Sequence, residues 1–545
     1  MRLYQEVLMF KTPFLYGVIT LSILLLLNCS NNGEPKSKKD LSNNPVAGGT
    51  LIIGISGDVD SFNPFYGESV SAQEITHLML LGLADLDEHS DFKPEIARSW
   101  ERSTDYSTLT YHLRRDAVWS DGFPITAHDV KFTYDLLMDE KVGSPLQGIT
   151  EFIQEVSVVD SYTVTFTFSK AYPTQIFDTA REILPRHILK DIDPKNLRSH
   201  PFGKKPISSG PFKLKEWVEQ QYIELVPNES YFGKKPYLDR VIFKIIPDQT
   251  NLLMQLKAGE IDMMTGVPLA EVDNLQANNP EINIRQVSGR VYYYIGYNQK
   301  NALFKNVQVR RALTMAINRE QIIEGLLHGY GKKCYGPLPP IVEWAYTEDV
   351  ETIAYDPRKA RRILNNNKWI DQNDDGLLEK NNQPFEFTLI TPTGNQLKSD
   401  VATVVQSHLS KIGIKVHIKV LEWTNFLKHL QSKNFDACVG ALSTSFYVDP
   451  TPVFHSKSTH LFNAISYSNP KIDRLIEEGR KEMDRQKAKK IWDRFQKEIY
   501  GDQPFTFLFW ADNIVAINKK FRDVTPIALS SVYNLEYWHK RPIQE

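Results

Sequence analysis

The sequence predicts an α/β fold with mixed sheets spread over more than one hydrophobic core, and three observations carry that expectation. A chain of 545 residues is longer than one core normally serves. Stretches of period-two alternation interleave with stretches of helical spacing along its length. With 41% hydrophobic and 24% charged residues, it has apolar side chains enough for substantial cores and polar ones enough to cover them.

The elements follow in chain order. Gly48-Gly49-Thr50-Leu51-Ile52-Ile53-Gly54 is an apolar, β-type run between glycines, and Ser61-Phe62-Asn63-Pro64 after it reads as a loop. Thr108 to Leu113 and Tyr162 to Phe168 alternate polar with apolar residues, so both read as half-buried strands. Between them, Thr126 to Leu137 has a Thr N-cap and apolar spacing suited to a helix. Trp119-Ser120-Asp121-Gly122 reads as a tight turn with a core tryptophan. In Tyr292-Tyr293-Tyr294 alternation puts the outer two rings on one face of a strand and the middle ring on the other. Asp371 to Gly376 has oxygen ligands at alternate positions, as a Ca²⁺ loop does, but Asn382 stands where such a loop needs a bidentate Glu. The segment therefore reads as an Asx/Gly turn before a strand at Phe385–Ile390.

Charge excludes some function classes. Lys+Arg (64) and Asp+Glu (66) nearly cancel, so no overall field draws the chain to nucleic acid or to an anionic membrane. Catalytic and metal motifs are also missing. None of the 13 histidines forms the His-Glu-x-x-His pair that sets two imidazoles on one helical face. Gly325 to Lys332 lacks the spacing of a phosphate loop, and no Gly-x-Ser-x-Gly elbow occurs. We expect no enzyme, no metal and no cofactor; a secreted hydrolase with unrecognised residues is the poorer alternative.

At the N-terminus, Lys11 precedes an apolar run from Phe14 to Leu27, too short for a usual membrane span and followed by the polar stretch Ser30–Asn44. This reads as a signal peptide over 1–28, and Met9 gives it a more usual basic start than Met1 does. The run ends on Leu26-Leu27-Asn28-Cys29, which resembles a bacterial lipobox, although Asn28 stands where a small residue is usual. The resemblance implies lipid on Cys29, a tether over 29–48 and anchoring at the cell envelope, in the periplasm or on the outer face of the cell membrane. A soluble secreted protein cut elsewhere is the alternative. Export puts Cys334 and Cys438 where disulfides persist, and they either pair or remain buried free thiols.

A series of motifs then runs through the whole mature chain. Ala97-Arg98-Ser99-Trp100-Glu101 and Asp105 to Gly122 come first, followed by Pro124-Ile125-Thr126-Ala127-His128-Asp129-Val130. Ser208-Ser209-Gly210-Pro211-Phe212, Phe304 to Leu313, Ala316-Ile317-Asn318-Arg319 and Asn469 to Ile476 continue it. In this order they resemble the family 5 bacterial extracellular solute-binding proteins, which include oligopeptide, dipeptide and nickel receptors. The resemblance implies a two-lobed clamshell of the periplasmic-binding-protein type with an extra inserted subdomain. Lobe I would comprise 49–80, 206–290 and 510–545, the inserted subdomain 81–205, and lobe II 291–509. It also implies a monomeric receptor that delivers peptides to the permease subunits of an ABC importer.

Peptide-binding members hold the ligand's α-amino group with an aspartate shortly before an Asp-Pro pair. Aligning Asp449-Pro450 with that pair puts Phe446 where the carboxylate usually stands. An ammonium buried there without counter-charge would be costly, so the site is expected to be aromatic. Phe446, Tyr447 and His455 are its candidates, Asp449 is either a substitute anchor or a turn cap, and Trp510, where lobe I resumes, completes the set. Aromatic faces also suit sugar rings, so an oligosaccharide is the alternative ligand. For the anchor, the expected outcome of Cys29→Ala is a protein left soluble in the exported fraction or stalled as precursor, as fractionation of cells would read. A variant still membrane-bound and normally processed would refute lipidation.

Overall fold

The computed structural model describes residues 45–541 except residue 460. The expected signal peptide, Cys29 and most of the tether lie outside the described residues.

One sheet of eleven strands runs through the molecule, and two long antiparallel strands, Ile282–Tyr297 and Phe505–Asn518, lie at its centre. On one side the order continues through Met263–Thr265, Thr50–Ile55, Arg240–Ile245 and Tyr222–Pro227 to Phe212–Val218. On the other it runs through Ala437–Ser443 and Glu386–Pro392 to Lys415–Leu421, and the eleventh strand, Gly331–Lys333, pairs with Phe505–Asn518 off this path. Thr50–Ile55 and Glu386–Pro392 are parallel to both their neighbours, and the other pairings are antiparallel, so the sheet is mixed. A second, antiparallel sheet of four strands is ordered Ala97–Arg102, Thr108–Leu113, Thr163–Phe168, Ile153–Asp160.

Two large cores form on this framework. One gathers side chains between Leu51 and Phe243 together with Val515, Ile517 and Trp538. The other is drawn from Tyr292 to Trp510. The long central strands serve both: Val287 and Val515 pack in the former, Tyr292 and Phe507 in the latter. Register slips between Val287 and Val291, where the strands pass from one core to the other. Gly289 lies in that slip. A Cβ there would come 1.7 Å from the carbonyl oxygen of Ala511, so only glycine allows the two backbones to approach as they do.

Local signals hold. Thr108–Leu113 is a strand, and the strand expected from Tyr162 runs Thr163–Phe168. Thr126 precedes the helix Ala127–Met138, and its backbone N–H and hydroxyl both donate to Asp129 Oδ2 at 2.9 Å. Trp119 is wholly buried, and Gly122 takes the turn at φ 91°. Tyr292 and Tyr294 are buried, with Tyr294 stacked 3.9 Å from Phe505, whereas Tyr293 stacks on Phe509 from the other face. Asn373 Oδ1 accepts from Asp375 N (3.0 Å) and Asp375 Oδ1 from Leu377 N (2.8 Å), giving the expected Asx turns. A short hairpin, Glu379–Lys380 with Gln383–Pro384, intervenes before the strand Glu386–Pro392, which starts one residue late. Cys334 and Cys438 are buried free thiols, and burial pushes both up to about 12.

Gly289→Ala is expected to destabilise the protein by about 1–3 kcal/mol, the usual cost of overpacking, through separation of the central strands. Urea unfolding checks it; an unchanged midpoint would mean the crossing is slack.

Candidate functional site

A cavity of about 400 Å³ opens where segments belonging to the two cores face each other. One wall comes from the helix Val70–Met79, which begins with Ser69 accepting from Ala72 N at 3.1 Å and ends near His77. Asp85 is added by the strand pair Ala84–Leu86 with Phe92–Pro94, and Glu95 follows directly after it. Phe177 comes from the short helix Gln175–Thr179, with Arg181 and Glu182 just behind. The facing wall is Arg290, from the central strand just past the Gly289 slip, with Ser445 and Phe446.

This facing wall is locked to the strand crossing. Thr444 donates its N–H (2.9 Å) and hydroxyl (3.0 Å) to the Arg290 carbonyl, and Arg290 Nη1 donates back to the Thr444 carbonyl at 2.8 Å. The rest of the guanidinium lies over the Phe446 ring, 4.4 Å from its centre.

The first wall holds a charge network. His77 Nε2 is 3.4 Å from Asp85 Oδ2, and its Nδ1 is 3.6 Å from Glu182 Oε1. Lys93 Nζ lies 3.4 Å from the same Asp85 oxygen and donates to the Tyr533 hydroxyl. Glu95 Oε2 is buried without a hydrogen-bond partner among the described residues. Ligating atoms of His77, Asp85 and Glu95 all fall within 4.8 Å of one another, a spacing a metal ion could use. As the side chains stand, the Lys93 ammonium supplies the cation beside Asp85. Burial would raise the Asp85 carboxyl, but His77 and then Lys93 hold it down at about 2. Burial and then Asp85 push Glu95 up to about 8. Burial opposes the charge on His77, yet Asp85 and then Glu182 outweigh it and raise the imidazole well above 6.5.

The residues singled out from sequence are dispersed. Phe446 lines the cavity. Tyr447 is beside it, 39% exposed, with its ring 4.9 Å from that of Phe177. Asp449 accepts from Thr451 N at 2.9 Å and pairs with Arg480 at 3.4 Å, so its carboxylate already caps a turn and meets a cation. His455 is buried, with Nε2 3.3 Å from Glu477 Oε1 and Nδ1 accepting from Lys457 N at 3.1 Å. Trp510 is buried edge-on against Tyr292 at 5.2 Å. Tyr447, Asp449, His455 and Trp510 are not among the cavity-lining residues. Sequence reasoning missed His77, Glu95, Phe177, Arg181 and Arg290, which come from four separate segments and share no motif.

The network sets a pH dependence. Glu95 and His77 each bind more protons folded than unfolded, Glu95 between 4.5 and about 8 and His77 from 6.5 upward. Their contribution to stability therefore falls as pH rises across those intervals. Glu95→Gln, which keeps the neutral shape, is expected to flatten the decline in melting temperature between about pH 5 and about pH 8. Calorimetry of both proteins across that range checks it, and identical slopes would show that Glu95 does not titrate there.

Residues 91–461 match the profile of the bacterial extracellular solute-binding proteins, family 5 Middle. The chain is 33% identical over 533 residues to the oligopeptide-binding protein AppA of Bacillus subtilis, covering 96% of this chain and 97% of that one. It is similar to the structure of that AppA in complex with a nonapeptide, with a TM-score of 0.71 over 91% of this chain and 100% of that chain. It is also similar to the ABC transporter substrate-binding protein CtaP of Listeria monocytogenes, at 25% identity and a TM-score of 0.80, over 91% and 99% of the two chains. With a family profile spanning most of its length, and with mixed α/β architecture like that of these solved relatives, this chain belongs to the family 5 bacterial extracellular solute-binding proteins.

Proposed function

We propose that this protein is an exported receptor that captures peptides in the cavity between its two cores and delivers them to an ABC importer, without chemically altering them. The observation that carries the reading is the cavity itself, walled by His77, Phe177 and Arg181 on one side and by Arg290 and Phe446 on the other. Such a site is built to be closed around a ligand by movement of one wall against the other. The similarity to AppA, a protein named for oligopeptide binding, supports peptides as the ligand class. In this reading lobe I comprises 49–80, 206–290 and 510–545, lobe II comprises 291–509, and 81–205 is the inserted subdomain. Cys29 carries the lipid that holds a monomeric receptor at the envelope, and the polar segment behind it is the tether.

Phe446 and Tyr447 are the proposed aromatic contacts. Phe446→Ala is expected to cost about 2–4 kcal/mol of peptide affinity, as titration calorimetry would measure. The peptides to titrate are those identified by mass spectrometry of what co-purifies with the protein. Scattering from the same complexes should show a smaller radius of gyration than the empty protein. Tight binding without compaction would refute closure, and co-purification of sugars alone would replace peptides with oligosaccharides.

A further inference from the structure

A second cavity, of about 410 Å³, shares no lining residue with the first and is walled by Arg358, Arg361, Arg362 and Lys411 together with Pro357 and Ile412. The three arginines come from the helix Pro357–Asn366, and Lys411 directly follows the helix Gln396–Ser410. No acidic residue stands in the sequence between Asp356 and Asp371. Asp371 lies 3.5 Å from Arg361, and Asp356 accepts from Lys359 N at 2.8 Å. The side chains of Arg358, Arg362 and Lys411 are exposed and meet no acid or hydrogen-bond acceptor among the described residues.

Local physics disfavours such a grouping. Arg358 and Arg362 are four residues apart on one helix, a spacing at which like charges repel. All three arginines also occupy the first half of that helix, where the macrodipole favours acids over bases. Folding then adds Lys411 from a different helix. The chain has a net charge of −2, so the patch is not a by-product of general basicity. An anion brought by a ligand would relieve every one of these repulsions. Guanidinium forks and a lysine point charge are the donors that suit phosphate oxygens. The apolar surroundings narrow the source of the phosphate. Tyr355 and Ile370, which flank the helix in sequence, are exposed, whereas Ala360 and Leu364 on its inner face are buried. A free phosphate would need only the cations, but a basic face with exposed apolar side chains beside it suits the headgroup layer of an anionic bilayer.

We propose that Arg358, Arg361, Arg362 and Lys411 form a site for phosphate groups, supplied by the headgroups of anionic phospholipids. The contact holds this face of the protein against the membrane, is separate from any N-terminal lipid, and does not depend on what the first cavity binds.

The test uses the full exported chain carrying Cys29→Ala, so that no acyl chain contributes, with and without Arg358→Gln, Arg362→Gln and Lys411→Gln combined. These three replacements remove no hydrogen bond or ion pair seen in the fold. Vesicle flotation compares equal parts phosphatidylglycerol and phosphatidylcholine with phosphatidylcholine alone. Affinity for the anionic vesicles should fall on the order of 100-fold in the triple variant and should weaken with added salt in the parent. Retention on phosphatidylcholine alone should be the same for both proteins. A second arm follows melting temperature in inorganic phosphate and glycerol phosphate against chloride at matched ionic strength, with protection expected in the parent and not in the variant. Protection by phosphate without any difference on vesicles would assign the site to a soluble phosphate and overturn the membrane contact. Equal behaviour of the two proteins in both arms would overturn the site itself. Peptide titration of the same variant should be unchanged, which keeps either failure distinct from a failure of the receptor reading.

Discussion

The close passage of Gly289 against Ala511 governs how the rest of the molecule is arranged. Two long strands carry the sheet from one core to the other, and their register slips at this point. Arg290 is the next residue, and its carbonyl accepts twice from Thr444. The segment carrying Phe446 is therefore positioned by a backbone contact rather than by its own loop. Any widening of the crossing would displace Phe446 with it, because close-packed interiors pass strain on instead of absorbing it.

Charge is segregated across the cavity. On one side, His77 and Lys93 are surrounded by Asp85, Glu95 and Glu182, and the group satisfies itself apart from one Glu95 oxygen. On the other, Arg290 lies over the Phe446 ring. Such an arrangement produces a directional field across the cavity, which strengthens as water is excluded from it.

Sequence showed what local physics decides. Thr126 marked a helix start because its partner Asp129 is three residues away, and strand alternation at Thr108–Leu113 needs no distant information. The Asx turns at Asp371–Gly376 were legible for the same reason. The short hairpin behind them was not, since two residues per strand give no periodicity to read. The cavity was the least legible part. His77, Arg181 and Arg290 are more than a hundred residues apart at the extremes and meet only through pairings such as Ile52 with Ile242 and Tyr292 with Trp510. Phe446 was found because an ordered motif pointed to it. His455 and Trp510 were grouped with it for their residue type, but each is enclosed by its own neighbours.

The state of Cys334 and Cys438 has a practical consequence. Thiols that are fully enclosed and held protonated at neutral pH do not supply the thiolate that alkylating reagents attack. A cysteine introduced on each wall of the cavity would therefore take a fluorophore selectively over these two native residues, so opening and closing could be followed by energy transfer between dyes without first removing them.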